Sequence, residues 1–319
     1  MYKVFIDGQA GTTGLQIHSR LNHRKDIEII EIDPTYRKDL GARRDMINSA
    51  DVLILCLPDE PAIEAIKLIS NDKVRVLDAS SAHRVADGWT YGLPELSTQQ
   101  ASDIASARFV SNPGCYPTGA ILLLRPLIDA RLLNTDYPYS VTAISGYTGG
   151  GRDSIERFEN SERADYISSH SRRYALHHEH KHIKEMQAYG NLDYKPVFLP
   201  SYGRYRQGIT LQIPLHLALH KPGVTARQLR DALTLHYINS NFIHVLTEQE
   251  TQVTEGIEPD VHNNTNAVTL GVFSPEGTDH IVLTAVYDNL GKGASGAAVQ
   301  NLEIMLGLEP SNGLVTPLS

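Results

Sequence analysis

The chain has 319 residues, of which 41% are apolar and 21% charged, and its formal net charge at pH 7 is −8. That is the composition of an ordinary globular protein with a sizeable core, and the length favours about two domains. An acidic chain without a basic stripe excludes a nucleic-acid scaffold, no apolar run is long enough to cross a bilayer, and two cysteines cannot make a disulfide framework. The opening Met1-Tyr2-Lys3-Val4-Phe5-Ile6-Asp7-Gly8 lacks the apolar region and cleavage site of a secretory signal, so a cytoplasmic protein with no membrane partner is expected.

Val4–Ile6 reads as a short strand, followed by a glycine loop over residues 8–14 and a helix over Leu15–Leu21. Ile27–Ile32 is a second strand, and Asp51–Leu57 a third, apolar enough to be buried on both faces. Pro58-Asp59-Glu60-Pro61 caps a helix over Ala62–Ile69, and Val74–Asp78 is a further strand. Strand–helix alternation of this kind predicts an α/β domain with a parallel, doubly wound sheet. From about Ser140 the texture changes. Ser140–Ile144, Val197–Leu199, Gly208–Pro214, Val268–Phe273 and His280–Tyr287 read as strands without a helix between each pair, which predicts a mixed or antiparallel sheet carrying the helix Thr225–Tyr237. Ala294–Leu306 is a small-residue-rich helix suited to packing back on the first domain.

Gly8-Gln9-Ala10-Gly11-Thr12-Thr13-Gly14 fits G-x-x-G-x-x-G between a strand and a helix. Glycines there let the backbone approach a pyrophosphate, and the helix start offers N–H groups to the anion. At the end of the second strand, Glu31 or Asp33 would suit the ribose 2′-hydroxyl of NAD, whereas Arg37 and Lys38 would suit the 2′-phosphate of NADP.

Cys115 lies in the run Ser111-Asn112-Pro113-Gly114-Cys115-Tyr116-Pro117-Thr118, ahead of apolar residues at helical spacing. Pro117 suits a first helical turn, so Cys115 is predicted at a helix N-terminus, where the thiolate is favoured, in a tight and exposed turn. Cys56 falls in an apolar strand and reads as a small core residue. A thiolate nucleophile needs a proton partner. The cluster His177-His178-Glu179-His180-Lys181-His182 offers candidates, although His178 and His182, four apart, could also share a helical face as metal ligands; the cluster lacks a further ligand set, and no metal is expected.

With these residues in place, the chain resembles the short form of N-acetyl-γ-glutamyl-phosphate reductase over nearly its whole length. The resemblance is carried by the run 111–118, by Asp78-Ala79-Ser80-Ser81-Ala82-His83-Arg84 with Tyr91-Gly92-Leu93-Pro94-Glu95, by Ser145-Gly146-Tyr147-Thr148-Gly149-Gly150-Gly151-Arg152, by His182-Ile183-Lys184-Glu185-Met186, and by Asn289-Leu290-Gly291-Lys292-Gly293-Ala294-Ser295-Gly296. Lys184 stands where that family usually has proline, which keeps His180 in view beside His182, and Ser295 stands where alanine is usual.

The resemblance implies a Rossmann-type domain over residues 1–114 completed by residues 293–319, and an α+β catalytic domain like that of glyceraldehyde-3-phosphate dehydrogenase over residues 115–292. It implies Cys115 and His182 as catalytic residues and NADP as the cofactor. The expected cofactor set is Gly8, Gly11, Thr12, Thr13, Gly14, Arg37, Lys38, Leu57, Pro58, Ser80 and Asn289; the expected substrate set is Ser81, Arg84, Asn112, Ser145, Gly146 and Arg152. The implied reaction is reduction of a small acyl phosphate through a Cys115 thioester by a homo-oligomer, dimer or tetramer. Aspartate-semialdehyde dehydrogenase is disfavoured, because it carries Asn before its cysteine where this chain has Gly114. An N-acylated aminoadipyl-phosphate reductase differs by one methylene, and a dinucleotide-binding redox sensor would need neither an acid/base histidine nor phosphate-binding arginines.

Overall fold

A computed structural model describes residues 1–37, 39–275, 278–309 and 314. The chain divides into two compact units, Met1–Pro113 with Ala294–Leu314, and Gly114–Gly293.

The first unit is built on β1 (Tyr2–Asp7), α1 (Thr12–Leu21), β2 (Ile27–Ile30), α2 (Leu40–Ser49), β3 (Val52–Leu55), α3 (Asp59–Lys67), β4 (Arg75–Asp78), β5 (Thr90–Tyr91), α4 (Gln100–Ser106) and β6 (Phe109–Ser111). Its six strands run in the order β2-β1-β3-β4-β6-β5, every pair parallel. All four residues of β3 are buried, as its unbroken apolar run predicts. That strand ends at Leu55, so Cys56 sits just past it rather than in its middle. The helix after it begins three residues earlier than its apolar pattern suggests. Asp59 and Glu60 suit the positive end of a helix, and Pro61 needs no N–H in the first turn. The C-terminal helix Gly296–Leu306 packs on α1 and α4. Its buried Asn301 donates to the Gly92 carbonyl at 2.8 Å and to Asn112 Oδ1 at 3.1 Å, and Gln300 donates to Glu95 at 3.0 Å.

The second unit comprises α5 (Cys115–Asp129), β7 (Ser140–Gly146), α6 (Gly151–Glu159), β8 (Ser171–Arg173), α7 (His182–Gly190), β9 (Val197–Gly203), β10 (Ile209–His216), α8 (Ala226–His236), β11 (Ile243–Val245), α9 (Glu248–Val253), β12 (Val268–Phe273) and β13 (His280–Tyr287). Its sheet runs β11-β12-β13-β10-β7-β9-β8 and is mixed. β10 and β13 pair antiparallel from Ile209↔Tyr287 to His216↔His280, while β7 and β9 run parallel from Ser140↔Val197 to Gly146↔Gly203. In β10 burial alternates residue by residue, the period-2 pattern of a sheet with one covered face. The apolar helix α5 packs against α7, α8, β10 and β13, and the Tyr237 hydroxyl donates to the Leu122 carbonyl at 2.7 Å.

Candidate active site

The predicted helix start is in place. Gly114 is the N-cap of α5, with φ −72° and ψ 151°, and Cys115 is its first residue. Thr118 closes the first turn, donating from both its backbone N–H (3.1 Å) and its hydroxyl (3.0 Å) to the Gly114 carbonyl. The turn before the cysteine is not exposed as expected. Ser111, Asn112, Pro113 and Gly114 are all buried, and within residues 111–118 Cys115 alone is partly exposed. The reason is that the polar groups of the turn are used internally. The Asn112 N–H donates to the Asp78 carbonyl at 2.7 Å, its Nδ2 to the Ala294 carbonyl at 3.0 Å, and the Gly114 N–H to Glu185 Oε2 at 2.9 Å. Tyr287, fully buried, donates its hydroxyl to the Cys115 carbonyl at 2.7 Å and accepts from the Gly119 N–H at 3.2 Å. Gly119 is required for that approach, since a Cβ there would meet the Tyr287 ring at 2.6 Å.

Tyr116 follows the cysteine into α5 and shares a 2.9 Å hydrogen bond with Tyr174, whose ring stacks on Tyr202 at 4.3 Å. Burial pushes all three phenols above their ordinary range, and the nearby Cys115 thiol pushes in the same direction. They are therefore neutral hydroxyls at physiological pH.

Helix α7 faces the start of α5. His182 is its first residue and is buried, and Glu185 lies one turn on. The ring of Tyr116 is in edge contact with both His182 (5.8 Å) and His180 (6.0 Å). His180 Nδ1 accepts from the His182 N–H at 3.2 Å and so takes up one of the free N–H groups at the start of α7. Lys184, in the family's proline position, is exposed in the first turn, where proline and lysine fit equally. His178 lies in a turn at φ +57°, outside α7, so the helical-face argument for a metal pair with His182 does not hold. No cluster of three or more metal-binding side chains occurs among the described residues.

In the first unit, the glycine loop joins β1 to α1. Gly8 has φ +92°, and a Cβ on it would lie 2.4 Å from the Cys56 carbonyl; one on Gly14 would lie 2.7 Å from the Gly8 carbonyl. Gly11 caps α1, and Thr12 and Thr13 form its first turn. Beside the loop is a cleft of about 710 Å³, lined by Gly8, Gln9, Glu31, Arg37, Arg43 and Leu57 among others. This is the size and wall chemistry that a dinucleotide needs. Glu31 is engaged by Gln9 at 2.8 Å and His18 at 3.1 Å, and Arg43 by Asp7 at 2.7 Å. Lys38 lies outside the described residues. Pro58 is the N-cap of α3, and Ser80 donates to Asp78 at 2.7 Å. Cys56, although partly exposed, has its thiol pushed up to about 12 by desolvation and by the charges of Asp78 and Asp7, which disfavours its thiolate.

The remaining predicted residues fall in two groups. Ser81, whose hydroxyl donates to Asp59, and Arg84, buried and donating to the Ala79 carbonyl at 3.2 Å, belong to the first unit with Asn112. Ser145, Gly146, Arg152 and Asn289 belong to the second. Ser145 is fully buried, and a Cβ on Gly146 would lie 2.4 Å from the Arg206 carbonyl. Asn289 accepts from the Gly208 N–H at 2.8 Å and donates to Thr148 at 3.1 Å. Arg152 is largely exposed and pairs with Glu156 one turn along α6.

Residues 14–104 match the family described as semialdehyde dehydrogenase, NAD binding domain, and residues 115–289 match semialdehyde dehydrogenase, dimerisation domain. An N-acetyl-γ-glutamyl-phosphate reductase of Burkholderia cenocepacia is 49% identical over 304 residues, covering 95% of this chain and 97% of that one. An N-acetyl-γ-glutamyl-phosphate reductase 2 of Pseudomonas putida is 49% identical over 310 residues, covering 97% and 98%. The chain belongs to the N-acetyl-γ-glutamyl-phosphate reductases. Among solved structures, aspartate semialdehyde dehydrogenase II of Vibrio cholerae shares the fold, with TM-score 0.68 at 15% identity over 96% of this chain and 98% of that one. The enzyme of Candida albicans, solved with NADP, gives 0.66 at 15% over 96% and 99%. No helix among the described residues is long and apolar enough to cross a membrane.

Glu185 lies in the segment 182–186 that carries the resemblance but has no expected role there, and Tyr287 and Arg43 are outside the expected site. Glu185 stands three residues after His182, the spacing of one helical face, which could have pointed to it. Tyr287 and Arg43 carry no local signal, because their partners are 172 and 36 residues away in the chain.

Proposed function

We propose that the chain reduces N-acetyl-γ-glutamyl phosphate to N-acetylglutamate 5-semialdehyde and phosphate, as a cytoplasmic homo-oligomer of arginine biosynthesis. Residues 1–114, with the C-terminal segment 293–319, hold NADP, and residues 115–292 carry the chemistry and the subunit interface. The observation that carries this reading is Cys115. It is the one partly exposed residue of its turn, at the start of a helix and facing the helix that begins with His182.

The Cys115 thiolate attacks the acyl carbon; a C–S bond forms, the C–O bond to phosphorus breaks, and phosphate leaves with the electron pair. The cleft lined by Gly8, Glu31, Arg37 and Leu57 would hold NADPH, which would supply hydride for the thioester. His182 takes the thiol proton at the start, gives a proton to the carbonyl oxygen as hydride arrives, and takes it back as the C–S bond breaks and the aldehyde is released. Its buried position suits a group that must exchange protons with a reacting atom rather than with bulk water. Arg37 with Lys38 selects the 2′-phosphate, supported by the engagement of Glu31 with Gln9 and His18, which occupies the carboxylate that would otherwise favour NAD. The other cofactor contacts are Gly11, Thr12, Thr13, Gly14, Leu57, Pro58, Ser80 and Asn289. Ser81, Asn112, Ser145 and Gly146 line the substrate site, and Arg84 and Arg152 take its carboxylate or phosphate.

Steady-state assays of phosphate-dependent NADP reduction, with N-acetylglutamate semialdehyde and its aminoadipyl homologue side by side, test the assignment. The reading predicts preference for the glutamyl substrate and a loss of several orders of magnitude in Cys115→Ser with cofactor binding retained. Preference for the longer homologue would move the substrate, and near-wild-type turnover of Cys115→Ser would overturn the mechanism.

A further inference from the structure

Two backbone groups at the start of α5, the Gly114 N–H before the cysteine and the carbonyl of Cys115 itself, are each held by a buried side chain from a different element. On the N-terminal side, the Gly114 N–H donates to Glu185 Oε2 of α7 at 2.9 Å; on the C-terminal side, the Cys115 carbonyl accepts from the Tyr287 hydroxyl at the end of β13 at 2.7 Å. Glu185 is 2% exposed and Tyr287 fully buried. A buried carboxylate is costly to desolvate unless it makes hydrogen bonds to groups that stay in place, and here one of those groups is the N-cap N–H of the nucleophile's own helix. Glu185 also shares α7 with His182, three residues apart, so this single bond links the start of α5 to the first turn of the helix bearing the acid/base.

We infer that Glu185 is a positioning residue: its carboxylate fixes the Gly114 N–H, at the N-cap of α5, on α7 and so sets the register between Cys115 and His182, with Tyr287 restraining the carbonyl of Cys115 itself. The Tyr287 hydroxyl lies between the Cys115 carbonyl and the Gly119 N–H, the two groups that would bond to each other in a regular helix. The first turn is thus tied to β13 as well as to itself. A misplacement of the order of 1 Å lowers the rate without lowering affinity for the substrate, and costs about 100-fold.

The inference rests on Cys115 being the nucleophile, and its test separates the two. In Glu185→Ala, kcat should fall about 30- to 100-fold while KM for both substrates stays within about threefold. In Glu185→Gln, whose amide oxygen still accepts from the Gly114 N–H, kcat should return to within about fivefold of wild type. A group that merely stabilised the fold would lower the melting temperature without this split or this rescue. Alkylation of Cys115 by iodoacetamide, followed by mass spectrometry at fixed pH, needs neither substrate nor cofactor and should follow the same order. If the wild type fails to reduce the acyl phosphate, the functional reading fails while the alkylation order still decides the positioning role. Should Glu185→Ala not fold, Tyr287→Phe carries the test, with kcat reduced about tenfold at unchanged KM. Wild-type kcat in Glu185→Ala, a Gln variant as impaired as the Ala variant, or unchanged kcat in Tyr287→Phe overturns the inference.

Discussion

Iodoacetamide at substoichiometric dose should label Cys115 well ahead of Cys56, and the ratio can be worked from the two environments. Burial beside Asp78 and Asp7 raises the Cys56 thiol to about 12. At pH 7.5 an ordinary thiol of pKa ~8.5 is about one-tenth thiolate, whereas one at 12 is about 3 × 10⁻⁵ thiolate, so Cys56 should react roughly 3,000-fold more slowly than an unperturbed cysteine. Both cysteines are partly exposed, so the contrast is one of acidity: Cys115, at the start of α5, sits where a helix N-terminus favours the thiolate. Peptide mapping after a short pulse at pH 7.5 reads the ratio directly. Raising the pH to 9.5 should leave Cys56 below about 1% thiolate, so selectivity persists there. Because the folded pKa of Cys56 is raised above its unfolded value, its contribution to stability is complete below about pH 8.5 and is lost as pH climbs towards 12. Labelling of Cys56 at a rate comparable to Cys115 in the folded protein would refute the assignment of the two cysteines.

Exchanging Arg37 for Ala should weaken NADPH about 10- to 100-fold, the worth of a charge-assisted contact, with little change for NADH, as read from the two KM values. His182→Asn should lower kcat/KM by about 10² to 10⁴, and His180→Asn by no more than about tenfold; loss of activity in the His180 variant alone would transfer the acid/base role. Burial raises Glu303 to about 8 despite the attraction of Arg24. Its folded pKa therefore exceeds its unfolded value, and its contribution to stability is full below about pH 4.5 and lost as pH rises through 8. Thermal melts should show a fall in stability from pH 5 to pH 9 in the wild type, and a flatter profile in Glu303→Gln.

The fold was legible where the chain carries long or unbroken apolar patterns, as in β3, β10, β13 and the C-terminal helix. It was illegible where elements are too short or too polar to show a period. β5 has two residues and β6 three, and α2, with the sequence Leu-Gly-Ala-Arg-Arg-Asp-Met-Ile-Asn-Ser, buries only Ile47. α2 is capped at its start by Asp39, which accepts from the Ala42 N–H, and meets the core only near its end, through Met46 and Ile47. At the candidate site, the helix start at Cys115 could be read from Gly114 and Pro117, because capping is a local property. Burial of the preceding turn could not, because it depends on Glu185, far along the chain, and on Asp78 and Ala294, which lie 34 residues before and 182 after Asn112. The start of α7 was hidden for a related reason: the helix begins only at His182, after a left-handed residue at His178 that no periodicity reveals.

The central claim is that Cys115 carries the acyl group. Mixing the protein with N-acetyl-γ-glutamyl phosphate in the absence of NADPH, then quenching in acid and mapping by mass spectrometry, tests it most directly. The account predicts a stoichiometric burst of phosphate and an acyl adduct on the Cys115 peptide, labile to hydroxylamine, discharged as semialdehyde when NADPH is added, and absent from Cys115→Ser. An adduct on any other residue, or a phosphate burst undiminished in Cys115→Ser, would contradict it.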